Sequence, residues 1–205
     1  MWKLSLGRGL AFGIWMKIVN FPHPSLRHPA VPVKAIDKKI QAYVAEMLEL
    51  MYEGKGLGLA APQVALPYEI FVMNLNPENR AAQKIYINPQ ISERKGSVEG
   101  EEGCLSFPGL YAKVRRAKTI RCQAYDLSGQ LVDQTVSDLE ARVWQHEVDH
   151  LRGDLFIDKV GAIGKITIRG DLKKFEHDFR RAQERGEIPP DADLEKLLTA
   201  LEGQD

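Results

Sequence analysis

His146, Glu147 and His150 sit in the stretch WQHEVDHLRG, with the glutamate directly after one histidine and the second histidine four positions beyond the first. On a helix, residues four apart point the same way with Cβ atoms about 5 to 6 Å apart, so both imidazoles can reach one metal ion. A carboxylate beside such a ligand can take a proton from an attacking water and hand it to a leaving amine, the general-base role in H-E-x-x-H hydrolases. The same spacing also suits two core histidines satisfied by hydrogen bonds, but Glu147 would then be an awkward charge in an apolar interior. Asp149 has no necessary part in this chemistry and reads as a supporting carboxylate.

A catalytic metal takes about three protein ligands and keeps one position open. Glu176 and His177 are available downstream, but in a highly charged segment that reads as a solvated helix face. Cys104 is the stronger candidate, because it sits in EEGCLSFPG, bounded by glycine and proline, where a small residue can approach closely. Cys122, inside TIRCQAYD, reads instead as a small buried hydrophobe. A thiolate with two imidazoles suits Zn²⁺, Fe²⁺, Ni²⁺ or Co²⁺ and argues against Mg²⁺ or Ca²⁺; the residues leave those four open. An earlier glycine loop, GLGLAAPQ from Gly56 to Gln63, lacks the Lys-Ser/Thr of a phosphate loop and the third glycine of a dinucleotide fingerprint, so nucleotide binding is rejected. Taken alone it reads as a tight turn.

These residues must be positioned by the elements around them. Ser137 to Glu140 carry a capping-box signature, which predicts a helix running to about Gly153. Leu139 and Val143 precede the histidines on one face, so that face is expected to be an apolar, inward-looking stripe, while Trp144, Val148 and Leu151 make the opposite face apolar too. Upstream, apolar residues at Ile40, Val44, Met47, Leu48 and Met51 predict an amphipathic helix from Asp37 to Gly54. YEIFVMNL and KIYINPQI read as strands, a Gly/Glu-rich loop leads into EEGCLSFPG, and TIRCQAYD with QLVDQTV forms a hairpin. The proline-rich run NFPHPSLRHPAVPVK reads as an extended surface strap. IRGDLKKFEHDFRRAQERG and ADLEKLLTALEG predict two last helices, split by Pro189 and Pro190.

The 205 residues suit one domain with tails, and 28 basic against 28 acidic side chains leave no nucleic-acid footprint. Two cysteines are too few for a disulfide framework and fit a reducing compartment. No apolar run approaches the roughly 20 residues of a membrane span. Lys3 and Arg8 ahead of a short apolar patch sketch only a weak signal peptide, with no cleavage site after it. Met16 opens a smoother segment, so residues 1–15 read as an extension or a misassigned start.

Together, GLGLAAPQ, EGCLS and QHEVDH, in this order and roughly forty residues apart, resemble the three motifs of the peptide deformylases. The resemblance extends from MKIVNFPHPSLR through DHLRGDLFIDKV, roughly residues 16 to 175. It implies that Cys104, His146 and His150 bind the metal, that Glu147 is the general acid and base, and that Gln63 and the backbone N–H of Leu105 stabilise the oxyanion. The family removes the formyl group from the N-terminal methionine of new polypeptides and releases formate, usually with Fe²⁺. Substrate is then expected along the Leu57, Gly58 and Gly103 backbones like an added strand, with methionine walled by Leu57, Leu139, Val143 and the His146 ring. Tyr111 and Arg142 are expected near the pocket rim.

The implied fold class is α+β, with antiparallel β-sheets surrounding the central HEVDH helix and additional N- and C-terminal helices. Residues 16–186 would be the catalytic domain and 187–205 a C-terminal helical extension. The implied partners are N-formylmethionyl nascent peptides and, through a C-terminal helix, a transient ribosome contact, with no nucleic-acid specificity and no membrane. Bacterial cytoplasm is the expected location, with an organelle second. The competing readings are a zinc endopeptidase that uses a ligand other than Cys104, and a catalytically dead binding module.

Overall fold

The structure, a computed structural model, describes residues 16–203; the expectation for residues 1–15 lies outside them. The first helix, α1 (Lys38–Glu53), starts where the Asp37 carboxylate accepts the Ile40 N–H at 2.9 Å. It buries Ile40, Val44, Met47, Leu48 and Met51 as the spacing predicts, and Tyr43 with them. Strands β1 (Gly58–Ala60), β2 (Ile70–Met73) and β3 (Lys84–Lys95) follow, then β4 (Val98–Gly103) and β5 (Tyr111–Arg116), and the hairpin β6 (Thr119–Tyr125) and β7 (Leu131–Ser137). Helices α2 (Asp138–Leu151), α3 (Ala162–Glu184) and α4 (Asp191–Glu202) complete the chain.

All pairings between these strands are antiparallel: a five-stranded sheet in the order β1-β2-β3-β6-β7, and a two-stranded ribbon of β4 and β5. Helix α2 lies against the larger sheet, with Trp144 fully buried and set edge-on to Phe71 at 4.9 Å between ring centres. On its other side Arg142 donates to the Val98 and Val114 carbonyls and so ties the ribbon to the helix. The expected α+β arrangement around the HEVDH helix is therefore present.

Several local expectations need correction. The Gly/Glu-rich stretch is not a loop: Val98 to Gly103 pair residue for residue with Arg116 to Tyr111. Its low strand propensity is overridden by the ladder and by Arg142. The proline-rich run is not a surface strap either, because Ser25 and Leu26 are fully buried in a short 3-10 turn over which α4 packs. Helix α3 begins at Ala162, ahead of the predicted start, and contains Gly164 and Gly170. A Cβ on Gly164 would meet Val160 at 2.5 Å, so the small residue serves close packing there.

The C-terminal pair of helices folds back as a unit. Arg180 meets Asp191 at 2.6 Å, and Leu194 and Leu198 are buried. The Tyr68 hydroxyl donates to the Leu201 carbonyl at 2.8 Å, and His28 meets Glu202 at 2.6 Å.

Candidate active site

Helix α2 delivers His146, Glu147 and His150, but its start differs from the predicted box. Asp138 has φ +54 and its N–H donates to the Lys118 carbonyl, while the Ser137 hydroxyl pairs with Thr119 and Glu140 takes Lys84. The tertiary partners outcompete the local cap. At the other end Gly153 has φ +74, and a Cβ there would meet the Arg27 carbonyl oxygen at 2.5 Å, so glycine is required.

Cys104 follows directly on β4, and its Sγ lies 3.3 Å from His150 Nε2. The ligand atoms of Cys104, His146 and His150 all lie within 4.8 Å of one another, the one such cluster among the described residues. Glu176 and His177, the alternative ligands, are exposed on α3 and lie outside it. Two buried polar atoms beside the cluster, Glu147 Oε2 and His150 Nδ1, have no hydrogen-bond partner. Unpartnered buried polar atoms are destabilising on their own and are rare in native interiors. One soft sulfur and two imidazoles, with the Glu147 Oε2 left unpartnered beside them, fit a resident divalent metal.

The electrostatics assign different states to neighbouring groups. Glu102, buried, accepts from Arg116 Nε and Nη2 at 2.9 Å each and from Arg142 Nη1 at 2.5 Å, and lies 3.1 Å from His146 Nδ1. Burial opposes its charge, but the His146 and Arg116 contacts win and hold its carboxyl well below the usual carboxylate range. With Nδ1 donating to that carboxylate, His146 presents the lone pair of Nε2 to the cluster. Burial likewise opposes a proton on His146, yet the contacts with Cys104 and Glu102 push its pKa up to about 10. Those same negative partners would hold a metal cation in the proton's place. His150 is held neutral by burial, by His146 and by Arg116. Burial pushes Glu147 up to about 7, partly countered by His146.

Gln63 projects from a 3-10 turn, Ala61–Val64, and is fully buried. Its Oε1 accepts the Ala60 N–H at 2.8 Å, which leaves Nε2 aimed at Cys104 Sγ, 3.3 Å away. The turn is braced from behind, since Ser25 donates to the Pro62 carbonyl and Val19 N–H to the Gln63 carbonyl.

A single cavity of about 560 Å³ is lined by Leu57, Gly58, Gln63, Gly103, Cys104, Leu105, Leu139, Val143, His146 and Glu147. Every residue that the family resemblance assigns to the site, except the deeper His150, thus borders one space. Gly58 permits close approach, because a Cβ there would meet Glu147 Oε1 at 2.4 Å; a Cβ on Gly103 would strike the Tyr111 ring at 2.6 Å. Leu139 corrects an expectation: it is 50% exposed, because the first turn of α2 emerges at the mouth instead of facing the core. Tyr111 stands at the rim, and Arg142 also borders the cavity while its Nη1 donates to Glu102.

Sequence reasoning missed Glu102 and Arg116. A signal existed for the second: β5 alternates strictly between exposed and buried, and the alternation that puts Ala112 and Val114 inside also points Arg116 inward. An inward arginine requires a buried acid. Arg116 finds two, Glu102 and Asp149.

Comparison with known proteins agrees with this geometry. A sequence model described as polypeptide deformylase matches residues 15–165. The peptide deformylase of Rhodopirellula baltica is 43% identical over 180 residues, covering 87% of this chain and 90% of the relative. That of Alkalilimnicola ehrlichii is 42% identical over 165 residues, covering 80% and 93%. Among solved structures, a peptide deformylase from Plasmodium falciparum superposes with a TM-score of 0.78 at 38% identity, covering 80% of this chain and 98% of that one. A plant peptide deformylase gives 0.80 at 34% identity, covering 88% and 98%. Sequence and shape, compared separately, lead to one placement: the chain belongs to the polypeptide deformylase family.

Proposed function

We propose that the chain removes the formyl group from the N-terminal methionine of new polypeptides by the residues collected around Cys104. The observation that carries this reading is the unpartnered Glu147 carboxylate oxygen, buried beside the Cys104, His146 and His150 trio, with Glu147 bordering the same cavity as Cys104 and His146. Cys104 Sγ and the two imidazoles would hold one divalent metal, with Fe²⁺ as the native ion and Zn²⁺, Ni²⁺ or Co²⁺ as substitutes. Such an ion supplies Lewis acidity toward the attacking water and the formyl oxygen.

The rest is done by side chains and backbone. Glu147, with its carboxyl poised at about 7, takes a proton from the water at one carboxylate oxygen and returns it to the methionine nitrogen as the C–N bond breaks. Formate and a free amine leave. Gln63, locked by its Ala60 contact, donates from Nε2 to the developing oxyanion, and the Leu105 N–H donates beside it. The methionine side chain fills the space between Leu57, Leu139, Val143 and the His146 ring. The peptide backbone pairs with Leu57 and Gly58 on one side and Gly103 on the other, where β1 and β4 each end a sheet and carry unpaired main-chain groups.

Residues 16–186 form the catalytic unit in this reading, and 187–205 an added helix. Two features support a transient ribosome contact and a bacterial cytoplasmic location: the basic residues between Lys173 and Arg185, and relatives that come from bacteria. No helix among the described residues is long and apolar enough to cross a membrane.

Anaerobically prepared, iron-loaded protein should release formate from formyl-Met-Ala-Ser. No formate from a metal-replete sample would overturn the reading. Cys104→Ser should lose metal in parallel with activity; retention of metal would return the zinc endopeptidase, whose ligand set does not include that cysteine.

A further inference from the structure

The cavity does not end at its outer rim. Phe107, Pro108, Gly109 and Leu110 form a tight turn, with Gly109 at φ +77 and the Leu110 N–H donating to the Phe107 carbonyl at 3.0 Å. Proline followed by a glycine of positive φ makes this a type II turn, a stiff ridge. On its far side lies a second concavity of about 340 Å³, bounded by the same Pro108, Gly109 and Leu110 and by Asp171, Lys174 and Phe175 of α3. Pro108, Gly109 and Leu110 line both spaces, and beneath them Phe107, which lines the first, meets Phe175 of the second edge-on at 5.8 Å.

The two spaces therefore adjoin across one ridge. In the second, Lys174 is paired with Asp178 at 2.8 Å and also feels the charge of Asp171, which is exposed and has no hydrogen bond or ion pair among the described residues. Two carboxylates thus share one ammonium, which leaves an excess negative charge at this wall. A cavity of the first one's size holds a drug-sized ligand, about three residues of extended peptide. The natural substrate is far longer and must leave the cavity along some surface.

We infer that the groove between the Pro108–Gly109 turn and α3 holds the stretch of substrate polypeptide beyond its third residue, with Asp171 favouring lysine or arginine there. The inference rests on the deformylase reading above. Its apolar walls, Leu110 and Phe175, take the aliphatic stems of such side chains while the cationic heads meet the carboxylate. Recognition at this distance adds to binding and leaves the chemical step alone, so it is read in KM.

The test compares three substrates with iron-loaded protein: formyl-Met-Ala-Ser, formyl-Met-Ala-Ser-Lys-Lys-Ala and formyl-Met-Ala-Ser-Glu-Glu-Ala. The basic hexapeptide should show a KM about threefold below that of the tripeptide, in line with one partly exposed ion pair, with kcat unchanged and no gain for the acidic hexapeptide. In Asp171→Lys the order of the two hexapeptides, each normalised to the tripeptide in the same variant, should reverse. Equal KM values for the two hexapeptides in the unaltered protein would overturn the inference. So would a basic preference that survives Asp171→Lys. A protein that cleaves the tripeptide but shows either result loses only the groove; one that releases no formate from the tripeptide loses the deformylase reading itself.

Discussion

At the scale of single residues, Glu147 and Glu102 are both buried beside the trio, yet their surroundings separate them. One faces no donor and is driven toward its neutral form; the other is held as an anion by two arginines and a histidine. Glu147→Gln keeps size and removes the proton carrier, so kcat should fall by about a hundredfold to ten-thousandfold while metal content and Tm stay unchanged. Glu102→Gln should act differently. It leaves Arg116 and Arg142 without their shared anion, a change expected to destabilise the fold by about 3 to 5 kcal/mol in a urea titration. It also frees the His146 ring to turn, which should weaken metal affinity about tenfold to a hundredfold. Preserved stability and metal affinity would remove Glu102 from its orienting role. The ligands and the base were legible in the sequence because residue type and spacing carry that chemistry directly. Glu102 was not, because its meaning comes from partners 14, 40 and 44 residues away.

At the scale of elements, the 3-10 turn at Pro24–Leu26 carries a titratable group that the catalytic chemistry does not use. His23 is buried with Nδ1 2.8 Å from the Ser25 hydroxyl, and burial lowers its pKa to about 4, partly offset by Asp191. The unfolded chain binds a proton there below about pH 6.5, whereas the folded chain resists it down to about pH 4. Stability from this group is therefore full above pH 6.5 and is lost as pH falls through that window. Between pH 7 and pH 5 the loss should be about 2 kcal/mol in urea unfolding, and His23→Gln should flatten that part of the profile. An unchanged slope in the variant would assign the effect elsewhere. Helix α1 and the β6–β7 hairpin were readable because period and turn chemistry agree with the fold. The β4 strand was not, because pairing with β5 decides it; the start of α2 was placed correctly at Ser137, but its capping contacts were not, because Lys118 and Thr119 supply them.

For the molecule as a whole, the sheet, ribbon and motif helix enclose the site, while α3 and α4 fold back over the opening segment. Helix α4 lines no part of the catalytic cavity, yet it buries Leu194 and Leu198 and closes over Leu26. Truncation after Ile188 should lower Tm, by about 2 to 4 °C per kcal/mol lost for a chain of this length, without changing kcat/KM for the formyl tripeptide. A parallel loss of activity would instead tie α4 to the braced Gln63 turn. The return of α4 onto residues 24–26 was not legible, since its amphipathic pattern states that one face is covered but not by what. Gly58 has a different kind of reach. Any residue with a Cβ at that position strikes the Glu147 carboxylate, so the chain cannot thicken this wall and keep its base in place. A small molecule lodged against Gly58 would press where escape by substitution and survival of the reaction exclude each other. Resistant variants would have to arise at the open rim, at Tyr111 or Leu139, where side chains can change without touching the proton carrier.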